Sequence, residues 1–179
     1  MIDEKQILDL CARDPGQGFK LLMDRYQESV YGCVRRLLVS HEDAQDALQE
    51  TFVRVFRSMG TFRGDSSLST WIYRIATNES LRILEVRKRE ANLTESGLHD
   101  ELLPKLQASD YVDYDDAMAV KFQAAILSLP EKQRLVFNLR YYDDLSYEEI
   151  SRICDTKVET LKVNYHYAKE KIKEYILNH

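Results

Sequence analysis

At 179 residues, 44% of them hydrophobic, the chain can hold one large domain or two small ones, and no apolar run approaches the roughly 18 to 20 residues of a membrane span. The opening MIDEKQILDL lacks the order of a secretory signal, and Cys11, Cys33 and Cys154 form no CxxC pair, so a cytoplasmic protein with reduced, mostly buried thiols is expected, without disulfide framework or zinc site. A net charge of -5 argues against nucleic acid as a partner until its distribution is read: residues 90–116 carry eight acidic side chains and one lysine, which leaves the rest at about +2.

Outside that acidic segment apolar residues recur at spacings of three and four, so the fold class expected is all-α. The first clear stripe is Phe19, Leu22, Tyr26, Val30, Val34 and Leu37, and the second is Leu48, Phe52, Val55, Phe56 and Met59. Beside the second stripe Asp46, Gln49 and Glu50 make a polar rim suited to the edge of an interface. A third helix is expected from about Trp71 to Arg87, after a break at Gly64 and with Ser67, Ser69 and Thr70 available as caps. Its core stripe is Ile72, Ile75, Ala76, Ile83 and Val86. Trp71, Arg74, Asn78 and Arg82 fall within about 80° of one another on a separate edge, which Arg87, Lys88 and Arg89 extend. A flat ring, an amide and several cations suit nucleic acid. A core-packed Trp and a basic helix end opposing the macrodipole explain the same residues without it.

The segment from Glu90 to Asp116 has Gly97, Pro104, many polar residues and no sustained period, and reads as a linker between two halves, either a solvated spacer kept extended by its own repulsion or a segment with a role of its own. After it, Pro130 starts a helix through about Tyr141. Ser146 with Glu149 makes a capping box for a short helix ending near Cys154, and Thr156 with Glu159 makes a second box. The final helix buries Val158, Leu161, Tyr165, Ala168, Ile172 and Ile176 and turns Lys162, Val163, His166 and Tyr167 outward. A short helix, a tight turn and a longer helix made positive by Lys157, Lys162, Lys169, Lys171 and Lys173 is a helix-turn-helix, or else a plain helical hairpin.

Three stretches, DAQDALQETFVRVF (43–56), FRGDSSLSTWIYRIATN (62–78) and LPEKQRLVFNLRYYDDLSYEEISRI (129–153), resemble in this order the sigma-70-type RNA polymerase sigma factors of the extracytoplasmic-function (ECF) group. The resemblance runs from about Asp14 to Ile176. It implies sigma domain 2 at 1–89, an acidic linker at 90–116 and sigma domain 4 at 117–179. It implies that Asp46, Gln49 and Glu50 dock on the clamp helices of the polymerase largest subunit. The loop from Arg63 to Ser69, with Asp65 and Ser66, would hold a flipped base of the promoter minus-10 element. Trp71 would be the wedge, Asn78 would lie near the captured base, and Arg74, Arg82, Arg87 and Lys88 would follow the opened strand. The last helix would read the minus-35 element with Lys157, Thr160, Lys162, Val163, His166 and Tyr167. The implied partners are core polymerase and promoter DNA, with an anti-sigma factor as the family's common control.

Glu159 departs from the family's usual Gly, and Asn164, Tyr167 and Lys169 stand where arginines are common, so the minus-35 sequence does not carry over. An activator of the helix-turn-helix type that does not join polymerase would explain 117–179 and leave the Trp71 helix and the Asp46 rim idle. A carboxylate-metal bundle on Glu42, Asp43, Asp46 and Glu50 lacks the paired Glu-x-x-His motifs it needs. The expectation is a non-enzyme without catalytic residues, cofactor or metal.

Overall fold

The computed structural model describes residues 3–92, 95–107 and 116–179, and among these every regular element is helical. Helix α1 (Glu4–Arg13) starts at a reciprocal cap, in which the Gln6 amide N–H donates to the Asp3 carboxylate at 2.8 Å and the Asp3 N–H donates back to Gln6 at 2.9 Å. Asp14 and Pro15 then open α2 (Pro15–Leu38). The two helices cross so closely at Gly18 that an added Cβ would lie 2.4 Å from the backbone nitrogen of Cys11. Ser40 caps α3 (His41–Ser58), a short 3-10 turn follows at Met59–Thr61, and Ser67 caps α4 (Leu68–Glu90), which begins three residues before Trp71.

The expected stripes supply most of the core. Leu22, Tyr26, Val30, Val34, Leu37, Phe52, Val55, Ile72 and Ala76 are buried. Phe56 and Val86 are not. Phe56 is 52% exposed, one side of its ring set edge-on to Phe19 at 5.0 Å on the rim of a groove, and Val86 faces a shallow groove between α4 and the next helix.

The largest departure from the sequence reading lies in the acidic segment. Residues 95–107 form α5 (Glu95–Gln107), and Leu98, Leu102 and Leu106, four residues apart, are buried in the main core. The extended spacer is therefore, over this stretch, a docked amphipathic helix that keeps Pro104 on its exposed side. Asp110, Asp113 and Asp115, which carry part of the net negative charge, lie outside the described residues.

The second half comprises α6 (Ala117–Leu127), α7 (Glu131–Tyr141), α8 (Tyr147–Cys154) and α9 (Val158–Asn178). The first capping box forms: the Ser146 N–H donates to Glu149 at 2.8 Å and the Glu149 N–H to the Ser146 hydroxyl at 3.2 Å. The second does not. Lys157, without a side-chain cap, precedes α9, and the Thr156 hydroxyl donates instead to the Cys154 carbonyl at 3.1 Å, closing the turn that Asp155 makes in the left-handed region. A local apolar cluster of Ala125, Ile126, Leu129, Phe137, Ala168 and Ile172 holds this half together. The main core is continuous from Ile7 to Leu161 and so joins the two halves, α8 packing on α4 and α7 on α2.

Candidate polymerase and nucleic-acid interfaces

Helix α3 turns Ala44, Ala47, Thr51 and Val55 inward, which leaves Asp46 and Gln49 exposed and Glu50 half-exposed on one flank. Glu50 accepts from Arg54 at 2.9 Å. Arg54 also reaches Glu79 of α4 at 3.2 Å, and Glu79 accepts from Arg82 Nε at 2.7 Å. Glu79 is only 2% exposed, and the guanidiniums of Arg54 and Arg82 compensate its charge. This four-member chain of charges runs from the α3 rim to the basic edge of α4. The sequence pattern did not single out Glu79, because an acid at one turn's remove from Arg82 usually means no more than a solvated surface pair.

The loop before α4 turns at Gly64, whose φ of +75° suits a residue without a side chain. Arg63 and Asp65 are exposed, and the half-buried Ser66 donates its hydroxyl to the Ser67 carbonyl at 3.1 Å. The start of α4 is held from a distance: the Glu4 carboxylate accepts from the N–H groups of Leu68 at 3.0 Å and Ser69 at 3.3 Å, and from the Tyr26 hydroxyl at 3.1 Å. An anion on exposed helix N–H groups also opposes the macrodipole. Along the next turns Arg74, Asn78 and Arg82 are exposed. Trp71 is half-buried, its ring 5.0 Å from that of Phe62, so it packs on the core margin while one part stays open. Between α1, α2 and α3 and beside this loop lies a groove of about 560 Å³ lined by Leu8, Phe19, Phe56, Phe62 and Arg63.

Arg87 and Lys88 sit on the tail of α4 in different company. Arg87 pairs with Asp43 and, at 3.3 Å, with Glu101 of α5. Lys88 pairs with Glu131 of α7 at 2.7 Å and is only 14% exposed. Arg89 pairs with Glu85 at 3.2 Å.

On α9 the geometry is open. Lys157, Thr160, Lys162, Val163, His166 and Tyr167 are all exposed, opposite the buried Leu161, Ala168 and Ile172. The Lys162 ammonium lies 5.8 Å from the ring centre of Tyr147, and the rings of His166 and Tyr167 are 5.7 Å apart. Glu159 is exposed near the start of the helix and caps nothing.

Where the halves meet, Asp143 accepts from Arg36 at 2.6 Å and from the Tyr73 hydroxyl at 3.2 Å, and the Arg36 guanidinium lies over the Tyr142 ring at 5.0 Å. Burial pushes the Asp143 carboxyl above the usual carboxylate range, against the pull of Arg36. Burial likewise raises the thiol of Cys33 and pushes that of Cys154 up to about 11, so both are protonated at neutral pH; all three cysteines are free. Among the described residues no three His, Cys, Asp or Glu side chains converge as a metal site, and no helix is long and apolar enough to cross a membrane.

A helical half with an exposed aromatic and cationic edge, followed by a helix-turn-helix with an open second helix, defines a DNA-binding transcription protein of two functional parts. Two family models match these parts in order, sigma-70 region 2 over residues 22–90 and sigma-70 region 4 over residues 119–172. The chain belongs to the sigma-70 family of RNA polymerase sigma factors, in its ECF group. It is 30% identical over 176 residues to the RNA polymerase sigma-H factor of Pseudomonas aeruginosa, covering 94% of this chain and 91% of that one. It is 32% identical over 181 residues to the ECF RNA polymerase sigma-E factor of Escherichia coli, covering 96% and 93%. Two solved structures share the fold. The sigma factor RpoE of Bartonella quintana, in complex with the anti-sigma factor NepR, superposes with a TM-score of 0.68 at 21% identity, covering 88% of this chain and 96% of that one. CnrH, in complex with the cytosolic domain of CnrY, superposes with a TM-score of 0.70 at 19% identity, covering 96% and 95%. The match to region 2 includes the α3 rim and the α4 edge, which a helix-turn-helix activator acting without polymerase would leave without a role.

Proposed function

We propose that this ECF sigma factor divides its work among three sets of residues. Asp46, Gln49 and Glu50 dock on core polymerase. The loop residues Arg63, Asp65 and Ser66, with Trp71, Arg74, Asn78 and Arg82 and the tail cations Arg87 and Lys88, capture and hold the opened minus-10 strand. Lys157, Thr160, Lys162, Val163, His166 and Tyr167 read the minus-35 duplex. The division places sigma domain 2 at 1–89 and sigma domain 4 at 117–179, with 90–116 as the connection that includes α5. The chain works in the cytoplasm and performs no chemistry of its own; bond formation belongs to the polymerase it joins. Both solved relatives carry an anti-sigma partner or a cytosolic domain of one named protein, and an anti-sigma partner is proposed for this chain as well.

One observation supports the opening role most: Asn78, Arg74 and Arg82 are exposed in line beside a Trp that is half-buried on the core margin. A half-anchored ring can act as a rigid wedge, and exposed amide and guanidinium groups can receive a displaced base and its phosphates. Replacing Trp71 and Asn78 together by Ala should leave core binding intact and lower permanganate reactivity at the promoter. Opening at the wild-type level by a stably folded double variant would return Trp71 to a packing role.

A further inference from the structure

Glu79 follows Asn78 directly in α4, but where Asn78 is exposed, Glu79 is buried and reaches toward α3. A carboxylate in such a place adds no stability that a well-packed apolar side chain would not supply, and its charge must be met. Two arginines meet it from different helices. Arg82, one turn on in α4, grips one carboxylate oxygen through Nε at 2.7 Å and through a terminal nitrogen. Arg54 of α3 places its Nε 3.2 Å from the other oxygen. Both cations nevertheless stay open to solvent, Arg54 at 51% and Arg82 at 55% exposure. Arg54 meets Glu50 and Glu79 through the same Nε, so among the described residues its terminal amino groups remain for a ligand, as does one of those on Arg82. With Glu50 engaged by polymerase, as proposed above, two guanidiniums fixed on one buried acid leave a positive charge over.

On the reading that the α4 edge holds the opened strand, we infer that Glu79 gathers Arg54 and Arg82 into a cradle for a backbone phosphate of that strand. Arg54 is then a further DNA-contacting residue, and Glu79 is the residue that positions both cations. The cradle lies one helical turn, about 6 Å, beyond Asn78, so the phosphate it takes belongs to a nucleotide close to the base that Asn78 receives. A guanidinium matches phosphate oxygens two at a time, and a carboxylate behind it fixes the fork before the strand arrives, which lowers the entropy lost on binding. Arg54 carries no such signal in the sequence, because it lies on α3 beside the docking rim, and only Glu79 draws it to the α4 edge.

The test uses core polymerase reconstituted with the full chain and a forked DNA with a mixed-sequence single-stranded arm, titrated at several salt concentrations. Arg54→Ala should weaken fork binding about fivefold and reduce the slope of log affinity against log salt by about 0.7, the loss of one single-strand phosphate contact. Lys132→Ala, at an exposed lysine outside the proposed sets, should change neither. Glu79→Gln gives the decisive sign. It makes the edge more positive, so charge alone would tighten binding, whereas loss of the anchor for both cations should weaken it about threefold. A merely structural pair would lower thermal stability and leave the salt slope where it was. An unchanged slope in Arg54→Ala overturns the cradle. So does fork binding by Glu79→Gln as tight as wild type or tighter, and so does a loss that a separate titration traces to core binding. Arg74→Ala is measured alongside: if it weakens fork binding while Arg54→Ala does not, the cradle fails and strand capture stands, and if neither does, strand capture by this edge fails as well.

Discussion

Ser146 and Thr156 carry the same local pattern, a hydroxyl residue with Glu three places on, yet only Ser146 caps a helix. Ser146→Ala should therefore lower stability by about 1 kcal/mol, whereas Glu159→Ala should stay within about 0.5 kcal/mol of wild type, both read from thermal melts. A matching loss at Glu159 would mean that it supports the start of α9 after all. The pattern identified both sites because spacing is visible in sequence. The outcome at Thr156 was decided by the left-handed turn at Asp155, which aims the hydroxyl back at Cys154. Glu50→Lys should weaken core binding in a titration while costing less than about 1 kcal/mol of stability, since Glu50 is half-exposed and pairs with the exposed neighbour Arg54. Unchanged binding would remove Glu50 from the docking set. Asp143 gives a pH test. Its carboxyl holds its proton more tightly in the folded chain, so its contribution to stability is full below the unfolded value of about 4 and is lost as pH rises through the folded value. In urea titrations wild type should lose stability relative to Asp143→Asn as pH climbs from about 4. A gap that stays constant with pH would contradict the raised value.

Helix α5 is the element where composition and structure part company. Its leucines recur every four residues, but eight acids, a Gly and a Pro in the same segment conceal a stripe only three residues long. Leu102 is fully buried, so Leu102→Ala should cost about 2 to 5 kcal/mol in denaturant unfolding and should speed protease cleavage within 90–116. A change under about 0.5 kcal/mol would return the segment to a free tether. Helix α1 escaped notice for a related reason: among its residues only Ile7 is buried, and its chief service is Glu4, a surface-type residue whose partners at Leu68 and Ser69 lie more than sixty positions away. The longer helices were legible because four or more apolar residues repeat on one face. So was the α4 edge, since Trp71, Arg74, Asn78 and Arg82 are separated from the core by the period itself. What periodicity omits is the partner of each polar residue, and this is why the tail cations looked free while Glu101 and Glu131 hold two of them.

For the whole molecule the central feature is one core shared by two parts that must reach separate promoter elements. Packed together, a chain of this length should show a radius of gyration of about 16 Å by small-angle scattering, against values above about 20 Å for two separated halves. The large value for the free chain would mean that the two halves separate without help. The family assignment carries a more direct consequence. An ECF sigma factor added to active core polymerase should create new transcript starts at defined promoters in a run-off assay, and the starts should disappear when Trp71 and Asn78 are both changed to Ala. New promoter-specific starts that depend on these residues are the predicted result; no new starts with active core, despite a folded chain that binds duplex DNA, would contradict the account.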